Sequence, residues 1–234
     1  MQYILENIRK EHHLGSVIIT SLHDINLKIE QGRFYSIFGP SGSGKSRILH
    51  IMGCMDVPSE GKVLYNGRDL ATLNQKDAKN LRNNEIGFIQ QSISVNTSIS
   101  VYENVAFMLK IINVKESIIK ERVTFWLQEL NLWHKKDSLG IYLNSSDLVK
   151  VSLAKALVKE PQILLIDEPF EILELTQKFE MLKLIQKVNR DHGITMVMAT
   201  KSWEEACQAD VVYLLRGGHI TDKQNGKAQI QMAG

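Results

Sequence analysis

The chain has 234 residues, 44% hydrophobic and 23% charged, and its 28 lysines and arginines against 26 acidic residues leave a formal net charge of +2. That length can bury the core of one large domain or of a domain with a subdomain, whereas so small a net charge says little about partners. No apolar run approaches the roughly 20 residues that cross a bilayer, and Met1 to Glu6 lacks the basic start and apolar core of a signal peptide, so a cytoplasmic chain that does not itself span a membrane is expected.

The first forty residues alternate as antiparallel strands do: Ile4 and Ile8, then Val17 and Ile19, then Ile25, Leu27 and Ile29, broken at His13-Leu14-Gly15 and Gln31-Gly32. An apolar run from Phe34 to Phe38 then reads as a buried strand. It leads into Gly39-Pro40-Ser41-Gly42-Ser43-Gly44-Lys45-Ser46, which fills every fixed position of G-x-x-x-x-G-K-[ST]. Ile48, Leu49, Ile51 and Met52 follow as the apolar face of a helix. Strand, glycine loop and helix are the setting that this phosphate-binding motif requires. Its glycines let backbone N–H groups turn inward around phosphate oxygens, the helix start adds positive potential, Lys45 can reach the β- and γ-phosphates, and the Ser46 hydroxyl can ligate Mg²⁺. A chance glycine-rich turn would not explain the motif together with both flanks.

Beyond the loop helix, Pro58 and Gly61 punctuate a short strand from Val63 to Tyr65, and Asn66-Gly67 makes a tight turn. Residues 74–84 are polar and helix-prone, and Ile86-Gly87-Phe88-Ile89 is another strand, ended by Gln90 and Gln91. The middle of the chain changes to helical spacing, with Val101, Val105 and Met108, then Ile119, Val123, Trp126 and Leu130. This predicts a helical insert over about residues 92–158, in which the region of Trp126 and Trp133 is core or subdomain surface rather than a ligand box. The basic residues Lys76, Lys79 and Arg82, and Lys115, Lys120 and Arg122, stand among acids and amides as solvated faces do, so no nucleic-acid surface is expected. Cys54 and Cys207 lie far apart without metal-ligand spacing and read as small buried or half-buried side chains.

Ile163 to Ile166 is a continuous apolar run that ends in Asp167-Glu168-Pro169, as a buried parallel strand does. Two carboxylates at the carboxyl end of such a strand stand where open α/β sheets bind ligands, so Asp167 can hold Mg²⁺ through water while Glu168 faces the γ-phosphate. A role as helix N-cap before Ile172 and Leu175 would need one acid, not two. Further strands end at Thr200-Lys201 and at Arg216-Gly217-Gly218, and the polar tail from about Thr221 is expected to be loosely held.

Taken in order, Gly39 to Ser46, Gln91, Leu143 to Lys150, Ile163 to Glu168 and Thr200-Lys201 resemble the ATP-binding subunit of an ABC transporter, over nearly the whole chain. More narrowly, Leu5-Glu6-Asn7-Ile8-Arg9-Lys10, His13-Leu14-Gly15, Met52-Gly53-Cys54-Met55-Asp56 and Ile86-Gly87-Phe88 resemble the macrolide-export and lipoprotein-release branch. The resemblance implies an α/β fold with a P-loop NTPase core of the ABC type, an antiparallel β subdomain and a helical subdomain that touches a membrane partner. It divides the single domain into an ATP-binding core (1–91 and 159–220), a helical subdomain (92–158) and the tail (221–234). It also implies a head-to-tail homo- or heterodimer sandwiching two ATPs, on the inner face of the cell membrane beside a permease on a separate chain. By position, Lys45 and Ser46 would hold phosphate and Mg²⁺, Gln91 would stand near the metal and the attacking water, Asp167 would support Mg²⁺, and Glu168 would be the general base.

Departures from the family pattern matter as much. Where the family has L-S-G-G-[QE], this chain reads Leu143-Asn144-Ser145-Ser146-Asp147. Asn144, Ser145 and Ser146 would face the partner's ATP, and serine in place of both glycines adds side chains at a place of close backbone approach. Lys201 occupies the position of the switch histidine; its ammonium can attract a γ-phosphate but offers no acceptor lone pair. His12 takes the aromatic position that would stack on adenine, Arg47 replaces threonine after the loop serine, Phe170 a small residue, and Glu174 an aspartate. Retained ATP binding with impaired hydrolysis is the expectation, in a subunit driving a membrane exporter or a lipoprotein- or peptide-extruding permease. The alternative is a nucleotide-sensing pseudo-ATPase that regulates an intact partner subunit.

Overall fold

The structure, a computed structural model, describes residues 1–15, 17–92 and 94–226. Strands β1 (Tyr3–Leu14) and β2 (Val17–Ile29) form a long antiparallel hairpin whose register shifts between Leu5 and Ile8 and again near Lys10. Asn7 and Asp24 take positive φ beside those shifts, a conformation their short polar side chains tolerate. After β3 (Phe34–Phe38) and helix α1 (Lys45–Met52), strand β4 (Glu60–Tyr65) pairs with the other edge of β1, and β5 (Arg68–Asp69) completes a four-stranded sheet of order β2-β1-β4-β5.

Helix α2 (Gln75–Asn84), capped by the Asn74 side chain, leads to β6 (Ile86–Ile89). Helices α3 (Val101–Lys110), α4 (Glu116–Glu129) and α5 (Ser145–Leu157) follow as a helical lobe, α3 opening on a capping box between Ser100 and Glu103. The chain returns through β7 (Ile163–Asp167), α6 (Leu175–His192), β8 (Thr195–Thr200), the short α7 (Trp203–Ala206), β9 (Val211–Arg216) and β10 (His219–Asn225). The second sheet has the order β10-β9-β3-β8-β7-β6, parallel except for β10. Among the described residues no helix is long and apolar enough to cross a membrane.

Every residue of β7 is buried, and its side chains alternate between two cores. Ile163 and Leu165 join Ile48, Leu49 and Met52 of α1 and the apolar face of the antiparallel sheet, whereas Leu164 and Ile166 join Val105, Val123, Trp126 and Leu153 of the helical lobe. Trp126 is 3% exposed and packs against Phe125 and His192, so it belongs to the core as its helical spacing predicts. Trp126→Ala is expected to cost about 3–5 kcal/mol through lost apolar burial and the cavity left behind. Urea titration should show a lower midpoint at unchanged slope.

Residues 221–225, expected to be loosely held, belong instead to a strand. β10 runs through Asn225 and pairs with β9 from Arg216 to Val211, while residues 227–234 lie outside the described residues. The polar sequence does not prevent this, because an edge strand open to solvent is held by ladder hydrogen bonds and needs no apolar alternation.

Candidate functional site

The phosphate loop joins β3 to α1 at the carboxyl end of the parallel sheet. Gly44 takes φ 103°, and a Cβ on it would meet Leu22 Cδ2 at 2.6 Å; a Cβ on Gly39 would lie 2.2 Å from the Leu215 carbonyl oxygen. Only glycine satisfies both places. Helix α1 has no side-chain N-cap and no acidic residue in its first turn, which leaves the start of the helix to an anion. Ser43 Oγ is buried without a hydrogen-bond partner beside it. A nucleotide's phosphates would satisfy both the helix start and the orphan hydroxyl, so the loop fits the group that its motif implies.

Lys45, 3% exposed, donates to the carbonyl oxygens of Gly39 at 2.9 Å and Pro40 at 3.0 Å and pairs with Glu168 Oε1 at 2.9 Å. Ser46 Oγ donates to Asp167 Oδ1 at 2.9 Å, across 121 residues of sequence. Burial pushes the Asp167 carboxyl above its ordinary range, with the Ser46 bond working against that shift. Glu168, just past β7, has φ 40°, a strained left-handed conformation for a residue with a Cβ, and its N–H donates to the Ala199 carbonyl at 3.1 Å. The elements therefore bring Lys45, Ser46, Asp167 and Glu168 together as the sequence predicts.

Lys201, just past β8, stands 3.9 Å from Glu168 Oε2 and bonds Glu171 Oε1 at 2.6 Å. The other oxygen of Glu171 accepts from Gln91 Nε2 at 2.9 Å. These bonds, with Lys201 first and Gln91 second, hold the Glu171 carboxyl below its ordinary range, and the same contact raises the Lys201 ammonium. Sequence reasoning missed Glu171. The only signal for it was an acid close behind the Asp167-Glu168 pair.

Other sequence-predicted residues lie apart from this cluster. Arg47 turns to Asp56 Oδ2 at 2.8 Å, a carboxylate it shares with Lys10 of β1 at 2.6 Å, so its charge is spent on joining the loop helix to the antiparallel sheet. His12 stands on β1 opposite Ile19, with its Nε2 buried and unpartnered. Asn144 caps α5 by accepting from the Asp147 N–H at 2.8 Å, and Ser145 and Ser146 are the first residues of that helix in the other lobe. Among the described residues no hydrogen bond joins Asn144, Ser145 or Ser146 to the phosphate loop.

Comparison with known proteins agrees with this geometry. The ABC transporter family profile matches residues 22–171. The chain is 35% identical over 214 residues to the lipoprotein-releasing system ATP-binding protein LolD of Blochmanniella floridana, covering 92% of this chain and 91% of that one. It is 33% identical over 224 residues to the macrolide export ATP-binding/permease protein MacB of Bdellovibrio bacteriovorus, covering 96% of this chain but spanning only 34% of that longer protein. The dimeric, post-hydrolysis ATP-binding cassette MJ0796 bound to ADP and Pi superposes with a TM-score of 0.86 at 29% identity, over 95% of this chain and 98% of that one. With a phosphate loop, two carboxylates at the end of β7 and these relatives over nearly its whole length, the chain belongs to the ABC transporter family, as an ATP-binding subunit resembling the macrolide-export and lipoprotein-release branch.

Proposed function

We propose that this subunit binds MgATP on the phosphate loop and hydrolyses it slowly, to drive a membrane exporter or lipoprotein- or peptide-extruding permease carried on a separate chain. The observation that carries the reading is the convergence of Lys45, Ser46, Asp167 and Glu168 through contacts of 2.9 Å. Residues 39–46 would cradle the phosphates, and Lys45 would exchange the Gly39 and Pro40 carbonyls for phosphate oxygens. Ser46, Gln91 and Asp167 would hold Mg²⁺, which when bound supplies charge neutralisation at the phosphate oxygens. Glu168 would take the proton of the attacking water, with Gln91 orienting that water. His12 would lie along the base, while Arg47 contributes through its brace on Asp56. The helical lobe over 92–158 would meet the permease on the inner face of the membrane, and the core over 1–91 and 159–220 would hold the nucleotide.

Slowness follows from departures in two motifs, acting in different places. Lys201 belongs to the chain's own ATP site and has no acceptor for water. Asn144, Ser145 and Ser146 would act in trans on the ATP of a dimer partner. In a homodimer each composite site carries both defects, so Lys201→His combined with Asn144→Ser, Ser145→Gly and Ser146→Gly should raise the steady-state ATPase rate well above either repair alone. A parent chain already turning over ATP several times per second would sink this reading. The ion-paired state of Lys201 favours one second reading, a pseudo-ATPase that regulates an intact heterodimer partner. Turnover measured with and without proteins co-purified from native membrane separates the two.

A further inference from the structure

Three adjacent strands of the parallel sheet, β6, β7 and β8, end side by side. From the segments that leave them come Gln91, Glu171 and Lys201. Among the described residues Glu171 alone bonds the other two, using one carboxylate oxygen for each. An ionised carboxylate only accepts, so Gln91 must turn its NH₂ toward Glu171, and its Oε1 is left as the free end of the amide. Lys201 carries four flexible methylenes and only donors, and the same carboxylate fixes where its ammonium stands, within 3.9 Å of Glu168.

We propose that Glu171 is a positioning residue for hydrolysis, a clasp that points the Gln91 oxygen and the Lys201 charge toward the γ-phosphate side of the site. The inference rests on the ATPase reading above. A purely structural role fits poorly, because Glu171 and Lys201 side chains are 39% and 54% exposed, where an ion pair adds little stability. What the clasp controls is orientation. It sets which end of an amide faces the water and which way a long cation leans, and neither choice is made by any other hydrogen bond recorded for Gln91 or Lys201 among the described residues.

The test uses the full chain with Glu171→Ala, in the parent and in a Gln91→Ala, Lys201→Ala background. In the nucleotide-free protein the Gln91 side-chain NH₂ resonances should shift on Glu171→Ala. With MgATP, kcat should fall about tenfold, or about 1.4 kcal/mol at one decade per 1.36 kcal/mol, while KM and calorimetric affinity stay level or tighten as a carboxylate leaves the phosphate side. In the doubly substituted background the same change should alter kcat less than twofold, since nothing remains to be positioned. Glu171→Gln should not rescue, because its amide keeps an acceptor at only one of the two oxygen positions that Gln91 and Lys201 use, and its NH₂ at the other invites Gln91 to flip. Unmoved Gln91 resonances, a kcat within twofold of the parent, or an equal fall in both backgrounds would each overturn the proposal. A parent that binds MgATP without any turnover would instead defeat the hydrolysis reading, and the Gln91 resonances would then decide the clasp alone.

Discussion

Replacing Lys45 with alanine is expected to abolish measurable ATP affinity while leaving the fold in place. The ammonium is 3% exposed and shared among two loop carbonyls and Glu168, so it is held at the loop before any nucleotide arrives. Bridging two phosphates would give it charge-assisted hydrogen bonds of about 1.5–3 kcal/mol each. Losing two of them weakens binding by about two to four decades. Alanine also strips Glu168 of its 2.9 Å partner, leaving Lys201 at 3.9 Å as its one cation partner among the described residues. A half-buried carboxylate so deprived should cost the fold some stability, which circular dichroism would register as a lowered Tm with an intact native spectrum. Isothermal calorimetry with MgATP decides the main point. Unchanged affinity would mean that nucleotide binds somewhere other than the loop.

Glu168→Gln should act on turnover instead of affinity. The amide keeps the size of the side chain and the strained φ of 40°, but cannot take a proton from water. A loss of roughly a hundredfold or more in steady-state rate is the range of general base catalysis. With hydrolysis blocked, ATP-bound dimer should accumulate and elute earlier in gel filtration. Carrying the substitution in both the parent and the Lys201→His, Asn144→Ser, Ser145→Gly, Ser146→Gly chain gives the assay room below its starting rate. A variant as fast as its parent removes Glu168 from the role of base.

How legible the molecule was depends on the distance over which each signal acts. The phosphate loop is local: eight consecutive residues carry both the backbone freedom and the chemistry, and strand and helix flank them as the pattern requires. β7 announced itself by the continuous apolar run from Ile163 to Ile166, because a strand buried on both faces has no solvent side to mark. The hairpin of β1 and β2 was legible only as fragments, since the bulges at Asn7 and near Lys10 reset the alternation within strands that are continuous. β10 was invisible for the opposite reason, being an exposed edge. Glu171 showed in the sequence only as an acid behind the Asp167-Glu168 pair: its partners lie 80 and 30 residues away, and only the strand order of the folded sheet makes them neighbours. Arg47 illustrates the same limit, because proximity to the loop in sequence gave no hint that Asp56 would capture its guanidinium.

The alternation of β7 between two cores has a mechanical meaning. Ile166 is packed into the same apolar body as Val105, Val123 and Leu153 of the helical lobe, and the next residue, Asp167, carries the hydrogen bond from Ser46. Protein interiors are nearly incompressible, so a push on α3, α4 or α5 cannot be absorbed as slack between lobe and sheet. It must appear as tilt or translation of the strand whose tip bears Asp167 and Glu168. With its fulcrum inside the parallel sheet, the lobe would act as a lever arm, and load applied at its far end would arrive at the carboxylates as displacement.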